Sequence, residues 1–191
     1  MQPLQTQRLV LREMRSTDVE RLHRIFSDPL LMRFWPVWSH EETAEWVAVQ
    51  VRRYAQDGFG LWAITFKDSD EAIGDCGLVR HEVDGTLETD IGWHVFRAHW
   101  GQGYATEAAR ASRDYAFAQL GVERLVAQIH PENAASRRVA EKIGMRLLKE
   151  YQHARGLRLL YVLERDTSAP SRFRTLSSTW PTKERGDASA R

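Results

Sequence analysis

Apolar and polar positions change rhythm several times along the chain, and each change marks an element. Arg8-Leu-Val-Leu-Arg12 alternates and predicts a strand. Val19, Leu22, His23, Ile25 and Phe26 share one helical face. It lies behind the N-cap candidate in Ser16-Thr-Asp-Val-Glu20 and stops at Asp28-Pro29, where proline ends the helix. Phe34-Trp35-Pro36 reads as a loop, and Ser39-His-Glu-Glu42 as a capping box whose helix runs through Trp46, Val47, Val51 and Tyr54 to Gly58. Strands are expected at 60–66 and 72–79, across the polar turn Lys67-Asp-Ser-Asp70, and again at 89–95. Trp100-Gly-Gln-Gly-Tyr-Ala-Thr-Glu107 then opens a helix rich in small residues (Ala105, Ala108, Ala109, Ala111, Ala116) that ends at Leu120-Gly121. A strand at 125–130 follows, then a short helix capped by Asn133 and closed at Lys142-Ile-Gly144. Strands at 145–149 and 159–163 complete the body. This order predicts an α/β domain with a mixed sheet, and no internal repeat is visible.

Composition narrows the class. A chain of 191 residues suits one domain, and 42% apolar with 28% charged residues is the mixture of a globular protein. With 27 Lys+Arg against 26 Asp+Glu, nothing draws the whole molecule to nucleic acid or to an anionic membrane. Cys76 is the single cysteine, so no internal disulfide or multi-thiolate zinc site is available, which suits a reducing compartment. The start lacks the basic-then-apolar order of a signal peptide, and no apolar run approaches a membrane span. A cytoplasmic protein, monomer or homodimer, is the expectation. The charge is uneven: residues 167–191 hold five Lys/Arg, two acids and nine Ser/Thr, leaving 22 basic and 24 acidic residues in 1–166. We therefore divide the chain into a slightly acidic domain, 1–166, and a basic Ser/Thr-rich tail, 167–191, that buries too little to order itself. Phe173, Leu176 and Trp180 in the tail stand at helical spacing.

The stretch with chemistry is Gly101-Gln102-Gly103-Tyr104-Ala105, between a strand and a helix. Glycines there let backbone approach a ligand, and the first free amides of the helix meet an anion with the positive dipole end behind them. The Walker pattern is absent, because no Gly-Lys-[Ser/Thr] closes the loop. The dinucleotide fingerprint fails at its third glycine, where Thr106 stands, and lies mid-chain. On these residues alone, a plain glycine turn before an amphipathic helix stays open.

The surroundings resemble a family. Trp100-Gly-Gln-Gly-Tyr-Ala-Thr-Glu-Ala108 resembles the acyl-CoA pyrophosphate loop of the GNAT N-acetyltransferases, with Gly103 and Ala105 in the last two places of [Gln/Arg]-x-x-Gly-x-[Gly/Ala] and Trp100 in place of the basic or amide residue. That departure is usual in the branch that includes the ribosomal-protein-alanine N-acetyltransferases. Thr6-Gln-Arg-Leu-Val-Leu-Arg12, Ser27-Asp-Pro-Leu-Leu-Met32, Ile73-Gly-Asp-Cys-Gly77, and Asn133-x-x-Ser136 through Glu141-Lys-Ile-Gly-Met145 resemble that branch in the same order. The likeness covers roughly residues 6–165.

The resemblance implies a mostly antiparallel mixed sheet, helices on both faces, and a splayed parallel pair formed by the strands at 89–95 and 125–130. It implies acetyl-CoA as acyl donor, with no metal. Pantetheine would lie in the splay near Val95, the pyrophosphate on the amides of Gln102, Gly103, Tyr104, Ala105 and Thr106, and an amine (a protein N-terminus or small molecule) would attack the thioester directly. Many relatives carry a sulfur-side Tyr seven residues beyond the Asn; here that residue is Ala140. Ser136 then becomes the donor to the departing sulfur and Asn133 a cofactor-binding residue, although both also suit plain helix capping. Asp90, with Glu88 one side-chain period away, is the candidate general base. His94 and His153 are outsiders. Cys76 reads as a small buried residue rather than a nucleophile. The acceptor pocket would form between the helical segment 19–57 and the final strands; of Phe34, Trp35, Trp38 and Tyr54, which could line it, the loop residue Trp35 is the candidate acceptor contact. The alternative is a non-catalytic acyl-CoA-binding module of the same fold.

Overall fold

One sheet runs through the chain from Leu4 to Glu164. The structure is a computed structural model that describes residues 2–166; the tail read at 167–191 lies outside them. The strands are β1 (Leu4–Gln5), β2 (Leu9–Arg12), β3 (Leu61–Phe66), β4 (Ala72–Val83), β5 (Thr86–Val95), β6 (Arg124–Ile129), β7 (Arg146–His153) and β8 (Gly156–Glu164). The helices are α1 (Val19–Phe26), α2 (His40–Gln56), α3 (Tyr104–Ala118) and α4 (Ala134–Lys142), with single 3-10 turns at Ser16–Asp18 and Arg97–His99. In space the order is β1-β2-β3-β4-β5-β6-β8-β7, and only β5–β6 is parallel. The expected mixed, mostly antiparallel sheet is present.

Strand alternation divides the core between the two faces. Trp62, Ile64, Cys76, Leu78 and Ile91 pack with Ala108, Ala109, Ala116 and Ala140 of α3 and α4. The small side chains let α3 lie close on the strands. Leu61, Ala63 and Val79 face the other way, toward Leu22, Ile25, Phe26 and Val47 of α1 and α2. A Cβ on Gly77 would stand 2.3 Å from the Gly60 carbonyl oxygen, so this position in β4 is closed to any side chain.

Three details differ from the sequence reading. The strands at 72–79 and 89–95 are longer than expected and form one hairpin, because Asp84-Gly85 (φ 49° and 77°) makes a two-residue turn. The strands at 145–149 and 159–163 likewise extend into a hairpin, β7–β8. The first helix opens through a 3-10 turn with no hydroxyl cap. Asp18 accepts from the Arg15 amide at 2.8 Å and from both terminal nitrogens of Arg12 at 2.8 Å each, which makes Arg12 a buried ion-pair partner. The capping box at Ser39 forms as read, with Glu42 N–H to Ser39 Oγ at 3.1 Å and Ser39 N–H to Glu42 Oε2 at 2.7 Å.

Candidate active site

The parallel pair separates almost as soon as it meets. Asp90↔Val126 is its one registered pair, and beyond it β5 continues to Val95 while β6 stays with β8 as far as Ile129↔Leu159. Phe96 N–H bonds back to Ile73 O on the β4 side at 2.9 Å. By strand alternation the backbone groups of Trp93 and Val95 therefore point into the gap. A cavity of about 820 Å³ opens along this gap, walled by Gly92–Val95, by residues 99–101 and 103–106 but not Gln102, by Ala127–His130, Asn133 and Ser136, and also by Phe34, Trp35 and Trp38.

At one end is the glycine loop. Gly103 precedes α3 with φ +84°, and the first α-helical bond is Glu107 N–H to Gly103 O at 3.0 Å. The amides of Tyr104, Ala105 and Thr106 come before that bond and are free for a ligand, with the helix dipole behind them. Arg8 braces the loop from outside: it donates to Gln102 O (3.1 Å), pairs with Glu107 (2.6 Å) and lies over the Tyr104 ring (4.4 Å). Burial works against the Glu107 carboxylate, but bonds from the Thr6 hydroxyl and from Arg8 outweigh it and hold its pKa below the ordinary value. The Trp100 indole N–H donates to Val95 O at 2.7 Å, tying the loop to the end of β5. The residue that departs from the family pattern thus has a structural task.

Asn133 caps α4 by accepting the Ser136 N–H at 3.0 Å, and both residues line the cavity. Ala140 is fully buried and offers no hydroxyl there. Cys76 is also fully buried; burial pushes its thiol up to about 12 while Ser112 lies 3.4 Å away, so no thiolate nucleophile is available.

The two carboxylates proposed as base fall in different surroundings. Glu88 bonds Arg124 at 3.2 Å and does not line the cavity. Asp90 does line it, with a side chain 15% exposed. Its Oδ2 accepts from Gln128 Nε2 at 2.6 Å, and His81 Nε2 lies 3.1 Å from the same oxygen. The Tyr151 hydroxyl donates to Gln128 Oε1, which fixes the amide so that its NH2 faces Asp90. Burial, and then the Asp90 charge, push the Tyr151 phenol up to about 12. His81, Gln128 and Tyr151 were missed in the sequence reading. The Asp84-Gly85 turn was the available signal for His81, since it sets the register that puts His81 on the Asp90 face.

The remaining candidates separate by position. His94 lines the cavity and pairs with the fully buried Asp75 at 3.0 Å. Burial lowers its pKa, but the charge and hydrogen bond of Asp75 outweigh this and leave it above the ordinary value. Trp35 and Phe34 are on the cavity wall, Phe34 stacked on His130 at 4.6 Å. Tyr54 is not on the wall: its hydroxyl donates to Leu61 O and accepts the Met14 N–H at 3.0 Å, which turns it into the core. Among the described residues there is no group of three or more His, Cys, Asp or Glu placed to hold a metal, and no helix long and apolar enough to cross a membrane.

Comparison with known proteins agrees with this geometry. The family described as "Acetyltransferase (GNAT) domain" matches residues 8–146. YkkB of Bacillus subtilis (strain 168) is 39% identical over 148 residues, 76% of this chain and 86% of its own length. An acetyltransferase structure from Agrobacterium tumefaciens str. C58 superposes with a TM-score of 0.77 at 28% identity, covering 86% of this chain and 95% of that one. At the level of fold alone, a ribosomal-protein-S5-alanine acetyltransferase from Vibrio fischeri gives a TM-score of 0.72 at 15% identity, over 89% of this chain and 100% of that one. The splayed pair and glycine loop are therefore those of a known group of enzymes: the chain belongs to the GNAT acetyltransferase family.

Proposed function

We propose that the chain moves the acetyl group of acetyl-CoA to a primary amine, on a small molecule or a protein N-terminus, by direct attack on the thioester. The observation that carries this reading is the Asp90 carboxylate at the mouth of the splay, facing the same cavity as the glycine loop. In this reading the pyrophosphate rests on the amides from Gln102 to Thr106, and pantetheine bonds the gap-facing backbone of Trp93 and the Val95 N–H, Val95 O being taken by Trp100. Asn133 and Ser136 line the sulfur end.

Asp90, directly or through one water, takes the proton that the ammonium must lose before it attacks. The amine nitrogen then bonds the carbonyl carbon. A β5 amide facing the gap stabilises the oxyanion, the nitrogen gives up its second proton to solvent as the carbon–sulfur bond breaks, and the thiolate takes a proton from Ser136, which solvent restores. No thiol of the protein is needed, consistent with a buried, un-ionised Cys76.

The test is release of free thiol from acetyl-CoA across an amine panel, run beside thermal stabilisation by CoA. Thiol release that depends on an amine supports transfer. Stabilisation by CoA with no release from any amine makes the chain an acyl-CoA-binding module, and no stabilisation at millimolar CoA defeats both readings.

A further inference from the structure

Where the Phe34–Trp35 loop meets the β7–β8 turn, the cavity wall is cationic. Arg155, exposed in that turn, lines the cavity, and its guanidinium carbon lies 5.3 Å from the centre of the Trp35 ring. The guanidinium carbon of Arg158 lies 5.3 Å from the same centre. One indole thus carries two cations. Arg158 is 1% exposed, and its side chain donates to neutral acceptors, Leu157 O at 3.0 Å and Phe34 O at 3.5 Å. Among the described residues no carboxylate pairs with Arg155 or Arg158, an expensive arrangement for a buried guanidinium. The neighbours register the excess charge. Burial, and then Arg158 and Arg155, hold the His153 imidazole below its ordinary pKa, and burial lowers Arg158 itself.

This wall is connected to Asp90. Arg158 is registered opposite Tyr151, the Tyr151 hydroxyl donates to Gln128, and Gln128 donates to Asp90. The acceptor end of the cavity therefore has one negative pole and one positive pole.

We propose that Arg155 and Arg158, gathered on Trp35, form a carboxylate-recognition subsite, so that the acceptor is an amine that also bears a carboxylate. Arg155 makes the contact with its planar fork, and Arg158 adds charge while holding the loop through Phe34 O. An acceptor of this class presents its ammonium to Asp90 and its carboxylate to the arginines. The inference deepens the acetyl-transfer reading and rests on it for the position of the amine.

Binding can be read without turnover by titrating product-type ligands into the full chain by calorimetry, with and without CoA. The ligands are N-acetylalanine against N-acetylalaninamide, and N-acetyl-Ala-Glu-amide against N-acetyl-Ala-Gln-amide. The acid of at least one pair should bind roughly tenfold more tightly than its neutral analogue. The pair that shows the preference tells an α-carboxylate from an acidic side chain. Arg155→Gln should reduce the preference and Arg155→Glu remove it, with CoA affinity unchanged. The proposal is overturned by equal binding in both pairs, by a preference that survives Arg155→Glu, or by no binding of either acid at millimolar concentration. It is also overturned if Arg155→Glu weakens CoA, since the arginines would then serve the phosphates of the donor. Preference for the acid without thiol release on any amine would defeat the catalytic reading and leave the subsite standing.

Discussion

Asp90 and Gln128 are joined side chain to side chain, Nε2 to Oδ2 at 2.6 Å, across the two strands whose backbone pairing stops at Asp90↔Val126. The bond spans the opening between these strands, and Tyr151 holds its far end. Asp90→Asn keeps the size and removes the proton acceptor. It should lower kcat by roughly 10²–10⁴-fold, with CoA stabilisation retained. Gln128→Met leaves the carboxylate in place but unanchored, and should cost less. Steady-state kinetics beside CoA thermal shifts would read both, and full activity in Asp90→Asn would remove it as the base.

Gly103 sits at φ +84°, where a side chain is strained, and a Cβ would lie 3.5 Å from Arg8 Nη2. Gly103→Glu adds that strain and brings a carboxylate to the amides that would hold phosphate. CoA should no longer raise the Tm, while the unliganded protein stays folded by circular dichroism. Unchanged stabilisation by CoA would mean that the anion lies elsewhere.

Trp100 is half exposed, yet its indole N–H is committed to Val95 O at 2.7 Å. Trp100→Phe keeps an aromatic ring and loses the bond. A lost hydrogen bond is worth about 0.5–1.5 kcal/mol, so KM for acetyl-CoA should rise by roughly two- to tenfold with kcat little changed. A fall in kcat with an unchanged KM would place Trp100 in the chemistry rather than in holding the loop.

Much of this was legible in the sequence because it is local. The capping box at Ser39, the cap at Asn133 and the glycine loop each depend on residues three or four apart, and each forms where the pattern put it. What was not legible depends on register. Strand Thr86–Val95 was read only from Thr89, so His81 stayed unconnected to Asp90 until the Asp84-Gly85 turn fixed the hairpin. Gln128, Tyr151 and Arg158 reach one corner only through the order β6-β8-β7, which no single stretch encodes. The Arg12 ion pair was hidden for a related reason: a strand pattern at 8–12 says nothing of the carboxylate six residues on that pairs with it in the interior.

That Arg12–Asp18 pair makes two bonds of 2.8 Å between side chains only 7% and 6% exposed. Its guanidinium is held above the ordinary value, first by the hydrogen bonds it donates to Asp18 and despite burial. Asp18→Ala leaves the buried cation only its bond to the exposed Asp70 carboxylate at 2.7 Å, and should cost up to roughly 3 kcal/mol in urea unfolding. Arg12→Met with Asp18→Leu removes both charges, and most of the loss should be recovered. A double variant no better than the single one would show that the pair matters through geometry rather than charge.

His94 and Asp75 give the fold a pH dependence of definite sign. Asp75 is fully buried, and its oxygens lie 3.0 and 3.2 Å from His94 Nδ1, with the Phe26 ring nearly perpendicular to the imidazole at 5.4 Å between centres. Because Asp75 outweighs burial, the folded protein holds the His94 proton more tightly than the unfolded chain does, where the value is near 6.5. A raised folded-state pKa contributes stability that is complete below the unfolded value and is lost as pH rises through the folded one. The Tm difference between the native chain and His94→Gln should therefore be largest below about pH 6.5 and shrink above it. Asp75→Asn removes the charge that raises the value and should flatten the same dependence. A difference that is constant with pH, or that grows toward alkaline pH, would show that the imidazole sits there uncharged and that the contact is one of packing.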